Sequence, residues 1–457
     1  MMLPHKFLDR MKKLLGSEYG DFLASLEDEK AIRGLRINPL KCDKDSFLSK
    51  NSLPITKIPY TDIGFILDSE ESVGSTPEHH SGRIYMQDPG AMAPLSSIDI
   101  PRGSRVVDLC AAPGGKSGQA AAMIGEDGFI LSNEFVPKRA KILVGNLERL
   151  GVKNAIVTSM DTGKLSEIFC EYFDYAIVDA PCSGEGMFRK NSLAVDEWSE
   201  GNVLLSAERQ REILDSAARL VAEGGYIIYS TCTYSVEENE KTIDSFLCRH
   251  PEFSPVEPKE EILKATAPPV REGLNESHVK YCRRFYPHIS NGEGQFLSLL
   301  RKNQSVLTTK VCKDASKPLS KAESNIVNDF LKSTFISAPD GRIAKHGENI
   351  VLLPKSIPTV PQSSVFMAGV LLGEVQKDRL IPSHQLFSAY GGLFKRRIEL
   401  SENERGISAY LAGEEISAPE GIDNGWCVVT YKGSSLGGGK IAGGRIKNHY
   451  PKGLRNR

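Results

Sequence analysis

VVDLCAAPGGKSGQAAAMIG, residues 106–125, decides the fold. Apolar Val106 and Val107 lead to Asp108, a run of small residues follows, and from Gly115 an alanine-rich stretch has helical character. A buried strand that passes through a small-residue loop into a helix is the opening turn of an open α/β sheet. Small side chains there let a ligand approach the backbone, and free amides at the helix start favour a carboxylate or phosphate. The spacing of PGGKS fits neither the dinucleotide G-x-G-x-x-G nor the G-x-x-x-x-G-K-[ST] phosphate loop, so binding through phosphates is the weaker reading.

On either side of this turn, apolar runs at 104–109, 128–134, 154–159, 172–180, 224–231 and 294–302 read as strands. Helical stretches separate most of them, among them PKRAKILVGNLERLG (137–151) and SAERQREILDSAARLVAEGG (206–225), the latter closing on a glycine pair suited to a helix C-cap. The alternation predicts a doubly wound, mainly parallel Rossmann-like sheet over residues 96–302. Residues 1–95 mix helical periodicity with short strand-like pieces, which predicts a small N-terminal α+β domain. Polar residues 303–325 read as a linker, 326–390 as a small intermediate domain, and 391–457 as a Gly-rich, strand-like ending that contains Trp426.

The 457 residues allow more than one core, and 40% hydrophobic with 25% charged residues describes a soluble globular protein. No run is long enough to span a bilayer and no secretory signal is present, so a cytoplasmic location is expected. Nine cysteines without a Cys-x-x-Cys pair argue against a disulfide framework and against a zinc site; free thiols and no metal are expected. A net charge of −1 excludes a globally basic nucleic-acid binder and confines any such role to local patches.

Glu134 ends the second strand, where a dinucleotide-type fold places the carboxylate that takes ribose hydroxyls, and Asp161 follows the third. With the 110–116 loop taking an amino-acid end, these residues would bracket S-adenosylmethionine; alternatively Glu134 and Asp161 cap the helices that follow them. Two thiols, Cys182 in DAPCSGEG (179–186) and Cys232 in STCTYS (230–235), each lie just past an apolar strand. As small buried hydrophobes they would be unremarked. Meeting over one site, they suit methylation of carbon 5 of a pyrimidine, which needs a thiolate to add at carbon 6 and an acid/base group for the later steps.

At these residues the sequence resembles the Sun-type (Fmu) RNA cytosine-5 methyltransferases, and in length and C-terminal half the RsmF group that modifies small-subunit ribosomal RNA. The resemblance is carried by DLCAAPGGKSGQ (108–119), NEFVPKR (133–139), MDTG (160–163), FDYAIVDAPCSGEGMFRK (173–190) and YSTCTYSVEENE (229–240), with YMQDPGAMAPL (85–95) and RRFYPHISNGEGQFLSLLRK (283–302) around them. It implies S-adenosylmethionine contacts from Cys110, Ala111, Ala112, Pro113, Gly114, Gly115, Lys116, Glu134, Asp161 and Asp179. It also implies Cys232 as nucleophile, Cys182 as the thiol assisting elimination and release, Asp179 orienting the base, and Lys116 holding Asp179. DNA cytosine methyltransferases attack through the Pro-Cys thiol, so attack by Cys232 is implied by the family and not by spacing.

The implied partner is ribosomal RNA, within the small subunit or its precursor; the same chemistry on transfer RNA or large-subunit RNA, or a noncatalytic assembly factor, are the alternatives. The target base must be unstacked to be reached. After Val429 the chain carries Lys432, Lys440, Arg445, Lys447, Lys452, Arg455 and Arg457 without an acidic residue, with Tyr431, His449 and Tyr450 as stacking options. This end resembles a PUA-like domain; a frayed basic terminus is the other reading. GLRINPLK (34–41) resembles the N-terminal RNA-handling unit, with Arg36 and Asn38 as expected surface contacts, and Lys138 and Arg139 are further phosphate candidates or merely solvated.

Overall fold

The apolar runs become strands of one sheet because their side chains alternate between two cores. The computed structural model describes residues 3–27, 32–69, 72–290, 292–305, 317–354, 358, 364–401 and 405–456. In it β1 (Arg105–Asp108), β2 (Phe129–Asn133), β3 (Ala155–Thr158), β4 (Phe173–Asp179) and β5 (Val221–Thr231) lie parallel in the order β3-β2-β1-β4-β5. Val106, Ile130, Val157, Ile177 and Ile228 pack into one core, whereas Val107, Leu131, Ile156, Val178 and Ile227 pack into the other. That period-2 division is what buries a parallel sheet on both faces. Helices α1 (Gly115–Ile124) and α2 (Pro137–Leu150) cover the first face. Helices α3 (Thr162–Ile168), α4 (Glu200–Leu220) and α5 (Glu240–Arg249) cover the second. The strand order reverses between β1 and β4, which opens the ligand crevice of such sheets at their C-terminal ends.

Beyond β5 the sheet turns antiparallel: β8 (Gln295–Lys302) pairs with β5, and β6 (Phe253–Val256) and β7 (Arg283–Phe285) both pair with β8. The glycine pair expected to cap α4 does not. The helix ends at Leu220 and β5 begins at once, so Gly224 and Gly225 lie in an excursion of the strand: Phe173 pairs with Val221 but Tyr175 with Tyr226. Gly224 has φ +78°, and a Cβ on Gly225 would come 2.7 Å from the Asp174 carbonyl oxygen, which is why glycine stands there.

The other edge of the sheet is completed from far along the chain. β9 (Val365–Ala368), inside the segment expected to be a self-contained unit, pairs antiparallel with β3 through Val365–Thr158 and Ala368–Ile156. The rest of that segment builds a four-stranded sheet of Arg342–His346, Asn349–Leu353, Val370–Gln376 and Arg379–Pro382. The helix Lys321–Thr334 starts within the expected linker, where Ser320 and Glu323 form a capping box; residues 306–316 lie outside the described residues. Among the described residues no helix is long and apolar enough to cross a membrane.

At the N-terminus, helices His5–Leu15 and Tyr19–Glu27 precede an antiparallel sheet of Gly34–Ile37, Ile55–Lys57, Gly64–Leu67 and Ile84–Met86. Arg36 and Asn38 are not surface contacts: they are 2% and 4% exposed. Asn38 donates from Nδ2 to the carbonyl oxygens of Gly82 (2.8 Å) and Leu150 (2.9 Å), tying this sheet to α2, and Arg36 lies over the Tyr85 ring at 5.5 Å. An arginine in an RNA-like motif is silent about which way its side chain turns, and here it lies buried against its cross-strand neighbour Tyr85.

The basic C-terminal end is ordered, not frayed, with strands Gly425–Tyr431, Ser434–Ala442 and Arg445–Asn448 in a five-stranded sheet. Tyr431 and Tyr450 are unavailable for stacking because both are buried; Tyr450 bonds His80 Nδ1 through its hydroxyl at 2.6 Å, and Tyr431 donates to Glu78 at 2.5 Å. Lys432 pairs with the same Glu78, and Arg455 donates to the Tyr450 carbonyl oxygen. Lys440, Lys447, Lys452 and His449 remain exposed, Lys440 above the Trp426 ring at 5.6 Å, while Arg445 is exposed but paired with Glu415. Arg457 lies outside the described residues.

Candidate active site

β4 and β5 stay in register to their ends, Asp179 opposite Ser230. Three residues past Asp179 stands Cys182, and two past Ser230 stands Cys232, so parallel pairing delivers both thiols to one rim of the sheet. Their sulfurs lie 3.2 Å apart. The Cys182 thiol is held well above its ordinary pKa, first by its hydrogen bond to Cys232 and then by burial. The raised pKa favours the protonated Cys182 thiol, and at 3.2 Å either sulfur can donate to the other.

Next to the thiols, Asp179 is half-buried and doubly held. Its Oδ2 lies 2.8 Å from Lys116 Nζ, and its Oδ1 accepts from Ser230 Oγ at 2.7 Å. Lys116, in the first turn of α1, is itself buried, so one ion pair joins the 110–116 loop to the end of β4. Each carboxylate oxygen keeps a lone pair for a further donor.

The 110–116 loop folds over the end of β1. Gly114 has φ +113°, and a Cβ there would sit 3.0 Å from Leu143 Cδ1, so the bend demands glycine. Asn146 Nδ2 donates to the Pro113 carbonyl oxygen at 2.8 Å, and Arg139 Nη2 to that of Ala112 at 3.0 Å. Arg139 thus fastens the loop, where a phosphate contact was one expectation; Lys138 is exposed. Glu134 is buried at the end of β2, its Oε1 accepting from the Val136 amide at 3.0 Å. Its Oε2 is 3.3 Å from Arg139 Nη1 yet makes no hydrogen bond. Asp161 is exposed and caps α3 through the Lys164 amide at 3.1 Å. Ala111 and Ala112 are buried, and burial, with Asp108, Asp179 and Glu134 adding, holds the Cys110 thiol neutral.

S-adenosylmethionine suits this set of groups: an unsatisfied buried carboxylate oxygen for ribose hydroxyls, helix-start amides for a carboxylate, and a floor of small residues between them. Beneath that floor Asp108 was not singled out in the sequence. Burial raises its pKa to about 7 although Ser117 Oγ donates to Oδ2 at 2.7 Å, and Oδ1 has no partner. A carboxyl with a raised native pKa contributes stability that is whole below its unfolded value near 4 and is lost as pH rises through about 7. Between pH 5 and pH 8 the unfolding free energy of the unsubstituted protein therefore falls by about 2–3 kcal/mol more than that of Asp108→Asn, which has no proton to lose. Denaturant titrations at the two pH values measure the difference; equal slopes would mean that Asp108 is already ionised in the native state at pH 5.

A second layer, also missed from sequence, holds the thiol loops. Glu238 lies wholly buried after β5, and its carboxyl accepts from the Ser183 amide (2.9 Å), Ser183 Oγ (2.5 Å), Gln210 Nε2 (2.9 Å) and Thr233 Oγ1 (3.4 Å). Glu185, equally buried, takes the Tyr234 amide, Trp198 Nε1 and Arg10, so the N-terminal helix braces the same loops. The only sequence signal for these residues was their place in matched segments, which gives no direction for a side chain.

Four family models match the chain. They are 16S rRNA methyltransferase RsmB/F over residues 97–301, the N-terminal domain of 16S rRNA methyltransferase RsmF over 3–89, the RsmF rRNA methyltransferase first C-terminal domain over 329–389, and the methyltransferase RsmF PUA domain over 395–456. Ribosomal RNA small subunit methyltransferase F of Klebsiella pneumoniae is 31% identical, covering 99% of this chain and 96% of its own; that of Vibrio campbellii is 31% identical over 99% and 97%. Among solved structures, a methyltransferase homologue from Pyrococcus horikoshii matches with a TM-score of 0.57 at 29% identity, over 65% of this chain and 94% of its own. NSun6 from Pyrococcus horikoshii, solved with the S-adenosylmethionine analogue SFG, has the same fold, with a TM-score of 0.58 at 21% identity over 66% of this chain and 99% of its own. With end-to-end similarity to these relatives and a model matching every part of its architecture, the chain belongs to the RsmB/F family of 16S rRNA methyltransferases, in its RsmF group.

Proposed function

We propose that this protein transfers a methyl group from S-adenosylmethionine to carbon 5 of a cytosine in small-subunit ribosomal RNA through a covalent bond to Cys232. The contact between the sulfurs of Cys182 and Cys232, beside the Asp179–Lys116 pair, carries the reading. Carbon 5 of cytosine is a poor nucleophile until a thiolate adds at carbon 6 and breaks the aromatic system. Cys232 is the sulfur proposed to add, with the Cys182 thiol 3.2 Å from it. Asp179, fixed by Lys116 and Ser230, accepts the exocyclic amino group, a donor that uracil lacks. After alkylation the proton on carbon 5 passes to water, the electrons of the C–S bond return to Cys232, and the Cys182 thiol stabilises the departing sulfur by donating to it.

The cofactor, when bound, supplies the electrophilic methyl group. Cys110 through Lys116, Glu134, Asp161 and Asp179 are the residues proposed to hold it, with Glu134 taking ribose hydroxyls and the start of α1 taking the carboxylate. None of these steps calls on a metal. The relatives' names, the PUA-type ending and the exposed Lys440, Lys447 and Lys452 support ribosomal RNA as substrate, in the small subunit or its precursor in the cytoplasm.

The test is incubation of the full chain with S-adenosylmethionine and, in parallel, small-subunit ribosomal RNA, large-subunit RNA and transfer RNA, followed by nucleoside analysis. 5-Methylcytidine appearing in the first alone is the expected result. Its appearance only in another RNA would overturn the substrate, and methylation at another atom would overturn the chemistry.

A further inference from the structure

Glu238 is wholly buried and both oxygens of its carboxyl are engaged. Its partners come from three elements. Ser183, next to Cys182, donates both its amide and its hydroxyl; Thr233, next to Cys232, lies within 2.9 Å of the Ser183 hydroxyl and donates to the same carboxyl oxygen; Gln210 of α4 donates to the other oxygen and also to the Pro181 carbonyl oxygen at 3.0 Å. The backbone of Glu238 is fixed separately, because Tyr229 of β5 donates to its carbonyl oxygen at 2.7 Å. The carboxyl is thus anchored on the Cys232 side of the site and reaches across to the Cys182 side. Direct bonds between the two loops that do not involve Glu238 run from the Gly186 amide to the Cys232 carbonyl oxygen, 2.9 Å, from the Tyr234 amide to the Glu185 carboxylate, 3.1 Å, and between the Ser183 and Thr233 hydroxyls, 2.9 Å.

We propose that Glu238 is a positioning residue of the methyl transfer: its carboxyl ties the Ser183 turn to the Thr233 turn and thereby holds the Cys182 sulfur against that of Cys232. This rests on the roles proposed above for the two thiols. Without the tie the Pro181-Cys182-Ser183 turn loses both donor bonds of Ser183 to the carboxyl, and a thiol displaced by about an ångström no longer stabilises the departing sulfur. Both oxygens of the carboxyl are acceptors, but the Oε1 side faces hydroxyls that can reverse their roles, whereas the Oε2 side faces an amide N–H and an amide NH₂. Glutamine fits that arrangement with its oxygen toward Ser183 N and its nitrogen toward the hydroxyls. The function is therefore geometric, and Glu238→Gln preserves it while Glu238→Ala abolishes it. Burial, opposed by the Ser183 bonds and assisted by the nearby Glu185 carboxylate, brings the acid to about 7, and either protonation state can keep the tie.

Two readouts on the full chain test this. The first is independent of the reaction: diamide, a two-electron oxidant that joins two thiols as a disulfide while its N=N bond is reduced to the hydrazine, reports how often the sulfurs meet. Peptide mapping of the Cys182–Cys232 disulfide is expected to give a formation rate about 10-fold slower in Glu238→Ala and within about 2-fold of the unsubstituted protein in Glu238→Gln. The second readout is turnover, expected to fall about 30-fold in Glu238→Ala with accumulation of the RNA-bound form, and to stay within about 3-fold in Glu238→Gln. An unchanged disulfide rate in Glu238→Ala overturns the proposal, as does failure of Glu238→Gln to restore both readouts. Ser183→Ala, which removes the hydroxyl bond and keeps the amide bond, answers the same question if Glu238→Ala does not fold; an unaltered disulfide rate there also overturns it. Slowed disulfide formation with turnover intact would leave the tie standing and strike the release role of Cys182 instead.

Discussion

Cys232→Ala yields no covalent product on RNA containing 5-fluorocytidine and lowers methyl transfer to ordinary RNA by at least about four orders of magnitude. The size follows from the chemistry. Without addition at carbon 6 the ring offers no electron pair at carbon 5, and no other group at the rim of β4 and β5 can replace the lost sulfur: Cys110 is held neutral by burial among carboxylates, and Cys182 keeps its proton. Cofactor binding should survive, since Cys232 is not among the residues proposed to hold the cofactor, and an equilibrium titration with S-adenosylmethionine separates a dead nucleophile from a collapsed site. Undiminished product from this variant would remove the covalent mechanism altogether.

Cys182→Ala has a different signature. Addition and alkylation proceed, but the departing sulfur lacks its donor 3.2 Å away, so on ordinary RNA the variant accumulates a complex stable to denaturation. Turnover falls by about 10²–10³, the usual worth of a positioned acid. Gel electrophoresis under denaturing conditions, without fluorinated RNA, reads the trapped species directly. Clean multiple turnover without a trapped complex would refute the release role; loss of all adduct would exchange the roles of the two thiols, the arrangement of the DNA enzymes.

The sequence was legible where one periodicity governs. The strands β1 to β4 and β8 fall within a residue or two of their apolar runs, because a strand buried on both faces leaves an unbroken hydrophobic record. The small-residue loop after Val107 and the two cysteines past their strands pointed to the crevice for the same reason: position along a strand is one-dimensional information. What failed needed the third dimension. Nothing in GLRINPLK tells whether Arg36 turns outward to phosphate or inward onto Tyr85. Tyr431 and Tyr450 looked like stacking platforms and are instead seats for Glu78 and His80 across a domain joint. The Gly224-Gly225 pair has the composition of a helix cap, but Leu220 passes directly into the strand. Glu238 could not be weighed because its partners, Ser183, Gln210 and Thr233, are scattered over the chain and meet only once β4, β5 and α4 are packed.

The pairing of β9 with β3 has a consequence for the way this molecule is made. The catalytic sheet is complete only when Val365–Ala368 is in place, long after the chain up to Lys302 has left the ribosome. Until then the backbone of Ala155–Thr158 presents a row of unclaimed amides and carbonyls, a template on which another nascent chain can pair as readily as its own later strand. A catalytic half cut off after Lys302 would keep that edge open, and the later segment is what covers it.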